Sequence, residues 1–96
     1  MTQEEKDIRT IELLETAHEN GMIWLILGSL ISSDSCINAE SCEKNLELSQ
    51  DFSKVIDRCS KIPEEDRKTY AEYLEKGREN IIKRDLEEFK KQREGN

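Results

Sequence analysis

The chain is poor in the residues on which most catalytic and phosphate-binding sites depend. It has one histidine, His18, so a Ser-His-Asp triad or a Cys-His pair would have to use that residue. Its four glycines are isolated from one another, which excludes a glycine-rich phosphate loop. Its carboxylates recur at helical spacing from lysines, where they are solvated ion-pair partners rather than acid–base catalysts. We therefore expect a protein without enzyme activity.

Long apolar runs are also absent. The most apolar segment, residues 22–31, would extend about 15 Å as a helix, which is half the thickness of a bilayer core. The net charge of −7 has the wrong sign for binding to anionic lipid. We expect neither a membrane span nor a membrane-surface protein.

Cysteine is scarce and odd in number. The three thiols, Cys36, Cys42 and Cys59, cannot all pair within one chain, and the N-terminal residues are charged where a secretory signal would be apolar. Both features favour the cytoplasm, where a Cys36–Cys42 disulfide is disfavoured. These thiols and His18 could supply four zinc ligands, but no two of them have the short spacing of a zinc knuckle. The sequence therefore predicts no metal and no cofactor.

The charge is high and unevenly distributed. Charged residues make up 39% of the chain and hydrophobic residues 34%, so a thin core must hold under a highly charged surface. The net charge of −7 arises within residues 1–60, since residues 61–96 contain ten acids and ten bases. The bases after residue 61 alternate with acids and form no stripe for phosphate backbones. We expect no direct binding to nucleic acid.

Apolar residues recur at helical spacing, which predicts an all-α fold in a single domain over residues 1–96. A first helix is predicted over residues 2–20, ended by the Asn20-Gly21 pair. Residues 22–31 are predicted to form a short helix that is buried on most faces. In that helix Trp24 is the expected largest core side chain, and Gly28 is expected to allow a close helix contact.

Two longer helices are predicted to follow a polar loop. Asp34 or Asn38 is expected to cap a helix over residues 39–60, and Pro63 suits the first turn of a last helix over residues 63–93. Glutamate–lysine pairs four residues apart, such as Glu79 and Lys83, support that last helix. The predicted fold is a small four-helix bundle-like domain with a short buried second helix and a long C-terminal helix. Its expected core comprises Ile11, Leu14, Trp24, Leu27, Phe52, Ile56 and Leu74.

The last helix carries more apolar surface than one face can hold. Its second apolar set is rotated by about a quarter turn or more from the first, and it comprises Ile82, Leu86 and Phe89. A straight helix of this length would measure about 46 Å and overhang a compact domain of about 30 to 35 Å. Either a partner covers the second set, or the helix kinks near Gly77 and folds back.

Two families of small acidic helical proteins share features with this chain. The immunity proteins that block colicin nucleases are similar in size and charge, but their adjacent-tyrosine motif is replaced here by Tyr70 and Tyr73, three residues apart. The stretch Pro63-Glu-Glu-Asp-Arg-Lys-Thr, with Gly77 and Glu79, resembles the last helices of the anti-sigma proteins of T-even phages. That resemblance covers less than a third of the chain and assigns no family.

Two functional hypotheses follow. The first is a non-catalytic binding protein that modulates or inhibits a larger protein, of the kind that phages, plasmids and immunity systems encode. Its expected partner-binding residues are Ile82, Leu86 and Phe89, together with the acidic side chains of Glu12 and Glu15. The second is a self-associating structural or adaptor protein, in which the C-terminal helix forms a homodimer.

Overall fold

The structure is a computed structural model that describes residues 1–33 and 36–94. In chain order it contains α1 (Gln3–Glu19), α2 (Ile23–Ser33), α3 (Ala39–Asp57) and α4 (Glu64–Glu94), and the described residues include no strand. This confirms the predicted all-α fold with a long C-terminal helix. Among the described residues, no helix combines the length and the apolar character needed to cross a membrane.

The helix boundaries follow local capping chemistry. Thr2 caps α1, since its hydroxyl oxygen accepts a hydrogen bond from the Glu5 backbone N–H at 3.2 Å. After α1, Gly21 takes the left-handed conformation with φ +68°, as the sequence predicts. At α3, Asn38 and Ser41 form a reciprocal capping box, which confirms one of the two predicted caps. The other predicted cap, Asp34, lies outside the described residues.

Helices α3 and α4 run antiparallel against each other. At one end, Arg67 Nη1 on α4 donates a hydrogen bond of 2.9 Å to the carbonyl oxygen of Asp57 at the end of α3. At the other end, the side chain of Cys42 in the first turn of α3 lies near that of Asp85 on α4. The last two turns of α4 therefore extend past the start of α3.

Helix α4 is uninterrupted through Gly77. Its 31 residues would measure about 46 Å as a straight helix, and the molecule measures 51 × 28 × 18 Å. The fold is therefore elongated along α4 rather than compact, and no kink folds the second half of that helix back on the first.

The buried residues of α4 form one winding stripe. They are Tyr70, Leu74, Arg78 and Ile82, each four residues from the last. A step of four residues turns the helix about 40° beyond a full turn, so the stripe rotates by roughly 120° from Tyr70 to Ile82. The second apolar set of the sequence analysis is the continuation of this stripe. Consequently, Ile82 is only 3% exposed and faces the interior of its own chain.

Helix α2 packs tightly against α4 at Gly77. A Cβ atom added there would lie 2.7 Å from Cδ1 of Ile31, whereas a Cβ added at Gly28 would have nothing within 4 Å. The prediction of a close contact at Gly28 is therefore wrong. The glycine that a neighbouring helix requires is Gly77, because Ile31 occupies the space where its side chain would be.

Polar contacts hold α1 against the end of the α3–α4 hairpin. Arg58 Nη2 donates a hydrogen bond of 3.1 Å to Oδ2 of Asp7. Further along α1, Glu15 Oε1 accepts hydrogen bonds from the Lys61 backbone N–H at 3.1 Å and from the Ser60 hydroxyl at 3.4 Å. The acidic helix α1 therefore turns two of its carboxylates toward the rest of the chain.

The core agrees with the predicted set except at one position. Leu14, Leu27, Ile56 and Leu74 are buried, and Ile11 and Phe52 are partly buried against them. Trp24 is 46% exposed, so its prediction as the largest core side chain is wrong. It lies about 100° around α2 from the buried Ile23, which places it at the edge of the helix rather than beneath it.

The two glycines of α2 and α4 should respond differently to alanine. We expect Gly28→Ala to raise the free energy of unfolding by about 0.5–1 kcal/mol, because alanine is the better helix former and the added methyl group meets open space. In Gly77→Ala the same gain is opposed because the end of the Ile31 side chain must turn aside, and we expect its free energy of unfolding to lie about 0.5–1.5 kcal/mol below that of Gly28→Ala.

Urea denaturation followed by circular dichroism measures both variants on the same scale. Equal stabilisation by the two alanines would contradict the close approach of α2 to α4 at Gly77.

Candidate functional site

An apolar surface on α2 and α4 is exposed to solvent. Leu25 and Trp24 on α2 are 68% and 46% exposed, and Tyr73 on α4 is 42% exposed. Met22, which directly precedes α2, is exposed as well. We call these four residues the aromatic patch. Aromatic residues make up only 5% of the chain. Two of them, Trp24 and Tyr73, are exposed and in contact with each other.

The rings of the patch are held in fixed orientations. The ring of Trp24 packs edge-to-face on Tyr73, with centroids 4.9 Å apart, and on Tyr70, with centroids 5.1 Å apart. Tyr70 is buried and forms the floor beneath the two exposed rings. Because aromatic side chains have few rotatable bonds, rings that are already packed lose little conformational entropy when a partner binds.

A hydrogen-bonded pair on α1 and α4 supports this floor. His18 Nδ1 lies 2.9 Å from the hydroxyl oxygen of Tyr70, and His18 Nε2 lies 3.8 Å from Oδ2 of Asp66. Burial, and secondly the charge of Asp66, raise the pKa of the Tyr70 hydroxyl. The hydroxyl is thus neutral at physiological pH and available for the hydrogen bond to His18. The histidine joins α1 to α4 through Tyr70 and Asp66, rather than pairing with a thiol.

Gly28 leaves room beside the patch. It follows Trp24 by four residues and Leu25 by three, so it lies on the same side of α2 as both. No atom lies within 4 Å of the place where its side chain would be. A glycine with open space above it lets another protein approach the helix backbone closely.

One acidic side chain lies close to the patch. Helix α2 contains no charged residue, so the patch itself is neutral. Asp66 lies at its edge, next to His18, and its side chain is half exposed. On α1, Glu12 and Glu19 are exposed. An uncharged apolar surface thus lies beside one half-exposed carboxylate, that of Asp66.

Two of the predicted partner-binding residues are turned inward. Glu15 is 9% exposed because its carboxylate binds the backbone of the α3–α4 loop, so it does not present charge at the surface as predicted. Ile82 belongs to the buried stripe of α4 and faces the interior of its own chain. Leu86 and Phe89 are partly buried, and Glu12 is exposed as predicted.

The cysteines form two separate sites. Cys36 and Cys42 form a disulfide with their Cα atoms 5.1 Å apart, which contradicts the expectation of free thiols. The capping box of Asn38 explains this, because it turns the chain back so that Cys36 lies beside the first turn of α3. Cys59 is a buried free thiol near the opposite end of α3, and it donates a hydrogen bond to the carbonyl oxygen of Val55 at 3.4 Å.

The sequence contains only one signal that could have indicated the patch. Residues 22–31 are apolar on every side, so periodicity does not distinguish the buried face from the exposed face. Gly28 marks one side of α2 as having no large side chain, and Trp24 lies on that side. The burial of Glu15 has no such signal, since the exposed Glu12 and Glu19 occur in the same helix at similar spacing.

Comparison of the chain with protein-family models, with curated proteins and with solved structures finds no match to any of them.

Removal of the Glu15 carboxylate should destabilise the fold. We expect Glu15→Ala to lower the free energy of unfolding by about 1–2 kcal/mol, because the part-buried hydrogen bond between the Lys61 backbone N–H and the Glu15 carboxylate is lost. Glu12→Ala, in the same helix, should change it by less than about 0.5 kcal/mol, because Glu12 is exposed. Urea unfolding of both variants provides the measurement, and equal effects would argue against an anchoring role for Glu15.

The buried thiol of Cys59 predicts a loss of stability at alkaline pH. Burial, and secondly the charge of Glu15, raise the pKa of Cys59 from 9.0 to about 11 in the folded chain. Below pH 9 both states hold the thiol proton and the contribution is constant. As pH rises from 9 toward 11, the unfolded state ionises first, so the free energy of unfolding falls.

Cys59→Ala should remove this part of the pH dependence. Urea unfolding of the original chain and of the variant, at several pH values across that window, would show the two stability curves converging as pH rises. Parallel curves would contradict a raised pKa for Cys59.

Proposed function

We propose that this chain is a non-catalytic protein that binds a larger protein and modulates or inhibits it. The observation that supports the proposal is the aromatic patch of Met22, Trp24, Leu25 and Tyr73. Contiguous exposed apolar surfaces mark interaction sites on small proteins, and tryptophan and tyrosine are the residues that most often dominate binding energy. The fixed orientation of the Trp24 and Tyr73 rings fits that role.

The proposed partner surface is apolar at its centre and basic at its rim. An apolar pocket or groove would receive Trp24, and the space above Gly28 would let the partner approach α2 closely. Basic side chains at the rim would face Asp66 and the exposed acids of α1, such as Glu12 and Glu19. The net charge of −7 would in addition speed the encounter with a basic protein, and salt would weaken that effect.

Self-association through the C-terminal helix is the second candidate function. Its support is the part of α4 that extends past α3, where Leu86 and Phe89 are partly exposed. Ile82 no longer contributes to this candidate surface, because it is buried within its own chain. Leu86 and Phe89 are each less exposed than any residue of the aromatic patch.

The binding surface is tested by measuring the affinity of the original chain and of three variants for a captured partner protein. The tagged chain would be used to capture proteins from the cytosol of its source, and the dominant equimolar protein would be purified. We expect Trp24→Ala and Tyr73→Ala each to lower the affinity for that protein at least about tenfold, as hot-spot truncations do. Leu48→Ala is the matched control, because Leu48 is an equally exposed apolar residue on α3 and should have no effect.

The fluorescence of Trp24 provides a second readout, since it is the only tryptophan of the chain. Burial of its ring by the partner should shift its emission to shorter wavelength. Unchanged affinity in Trp24→Ala and Tyr73→Ala would refute the aromatic patch as the binding surface. Self-association would instead be supported if light scattering gave the purified protein twice the mass of one chain and Phe89→Asp reduced that mass to one chain.

A further inference from the structure

The two sulfur atoms of the Cys36–Cys42 disulfide and one carboxylate meet at the end of the molecule opposite Cys59. Cys36 comes from the connection that precedes α3, Cys42 from the first turn of α3, and Asp85 from α4. Their Sγ atoms and a carboxylate oxygen all lie within 4.8 Å of one another. Cys59 and His18, which the sequence offers as further zinc ligands beside Cys36 and Cys42, are not part of this cluster. Asp85 takes their place.

We propose that, when the Cys36–Cys42 disulfide is reduced, this cluster binds one Zn²⁺. The ligands are Cys36 Sγ, Cys42 Sγ and one carboxylate oxygen of Asp85, with a water molecule completing a tetrahedral site. Two thiolates and one carboxylate are a donor set that suits Zn²⁺. Zinc–sulfur bonds of about 2.3 Å place tetrahedral ligands roughly 3.8 Å apart. The two sulfur atoms, bonded to each other in the disulfide, must therefore move apart on reduction, and a carboxylate oxygen of Asp85 lies within 4.8 Å of both.

The surroundings of the cluster fit a bound cation. Asn45 Nδ2 is 3.9 Å from Cys36 Sγ, where it donates an N–H to the sulfur. Arg84 Nε lies 3.7 Å from Oδ1 of Asp85, and its side chain is 77% exposed, so solvent screens its charge from the cluster. Contacts of this kind to the ligands orient them. The positive end of the α3 dipole also favours negative charge on Cys42.

A cleft beside the cluster gives an ion a route to it. The cleft has a volume of about 530 Å³ and is lined by Cys36 and Asp85 together with Glu88 and Phe89 of α4. Cys42 is fully buried, whereas Cys36 and Asp85 are partly exposed. The metal would therefore enter from the side of Cys36 and Asp85, with the open coordination position toward the cleft.

The disulfide and the zinc site are alternative states of the same two sulfur atoms. Two molecules of a small thiol such as glutathione reduce the Cys36–Cys42 bond with two electrons and two protons, and are themselves oxidised to one disulfide. Zn²⁺ then displaces the two thiol protons as it binds. The disulfide links only the α2–α3 connection to α3, whereas the metal also links both to α4 through Asp85. Zinc should therefore stabilise the reduced chain.

Titration of the reduced full-length chain with Co²⁺ alone tests the site, because thiolate ligands give Co²⁺ a strong charge-transfer absorption. We expect one Co²⁺ per chain, displaced by Zn²⁺. Cys36→Ser should abolish most of the absorption, and Asp85→Asn should weaken binding about 10- to 100-fold. Cys59→Ser is the matched control and should bind as the original chain does, because Cys59 lies near the other end of α3.

The Asp85→Asn variant separates a metal site from a disulfide alone, since it leaves both sulfur atoms and the shape of the side chain in place. Circular dichroism establishes that each variant is folded. Absence of stoichiometric Co²⁺ binding by the reduced chain would overturn the proposal. Binding that is unchanged by Cys36→Ser or by Asp85→Asn would overturn it as well.

Discussion

The antiparallel packing of α3 on α4 is the interaction on which the other elements depend. With hydrophobic residues at 34% of the chain, there is not enough apolar material for four equally buried helices. The chain concentrates it in one long contact, along a stripe that winds around α4, and places the shorter helices against the hairpin that results. Helices α1 and α2 cover one end of the α3–α4 contact. The buried residues at that end include Ile56, Cys59, Ile62 and Leu74.

Helices α1 and α2 attach to this hairpin by different means. Helix α1 has a short apolar face and adds polar contacts at Asp7, Glu15 and His18, each to the α3–α4 loop or to α4. Helix α2 has no charged residue and attaches through Ile23, Leu27 and the crossing at Gly77. Because α2 is covered on one side only, Trp24 and Leu25 stay in solvent, and they form the α2 part of the aromatic patch.

Features that depend on a few consecutive residues could be predicted from the sequence. The capping of α3 by Asn38, the left-handed Gly21 and the start of α4 after Pro63 are all local, and the structure confirms them. The errors concern which side of a helix faces a neighbour. The environments of Trp24 and Gly28 depend on how α2 crosses α4, and the environment of Glu15 depends on the course of the α3–α4 loop. Both are set by residues far away in the chain, so the predictions for these three residues are wrong.

The two apolar sets of α4 form a single stripe in the structure. The sequence pattern separates them because a stripe that advances by four residues drifts around the helix. The aromatic patch could not be predicted because it, too, depends on how α2 crosses α4, and the partner-binding role of the partly buried Leu86 and Phe89 stays a prediction.

The elongated shape affects how the size of this protein is judged in solution. A molecule 51 Å long and 18 Å thick has more frictional drag than a sphere of the same mass. Its diffusion is therefore slower, and on a sizing column it would elute ahead of compact proteins of 11.2 kDa, in the range where a small dimer is expected. A single chain and a pair of chains are consequently easy to confuse by elution volume. Only a property that depends on mass and not on shape, such as scattered light intensity or sedimentation equilibrium, distinguishes them.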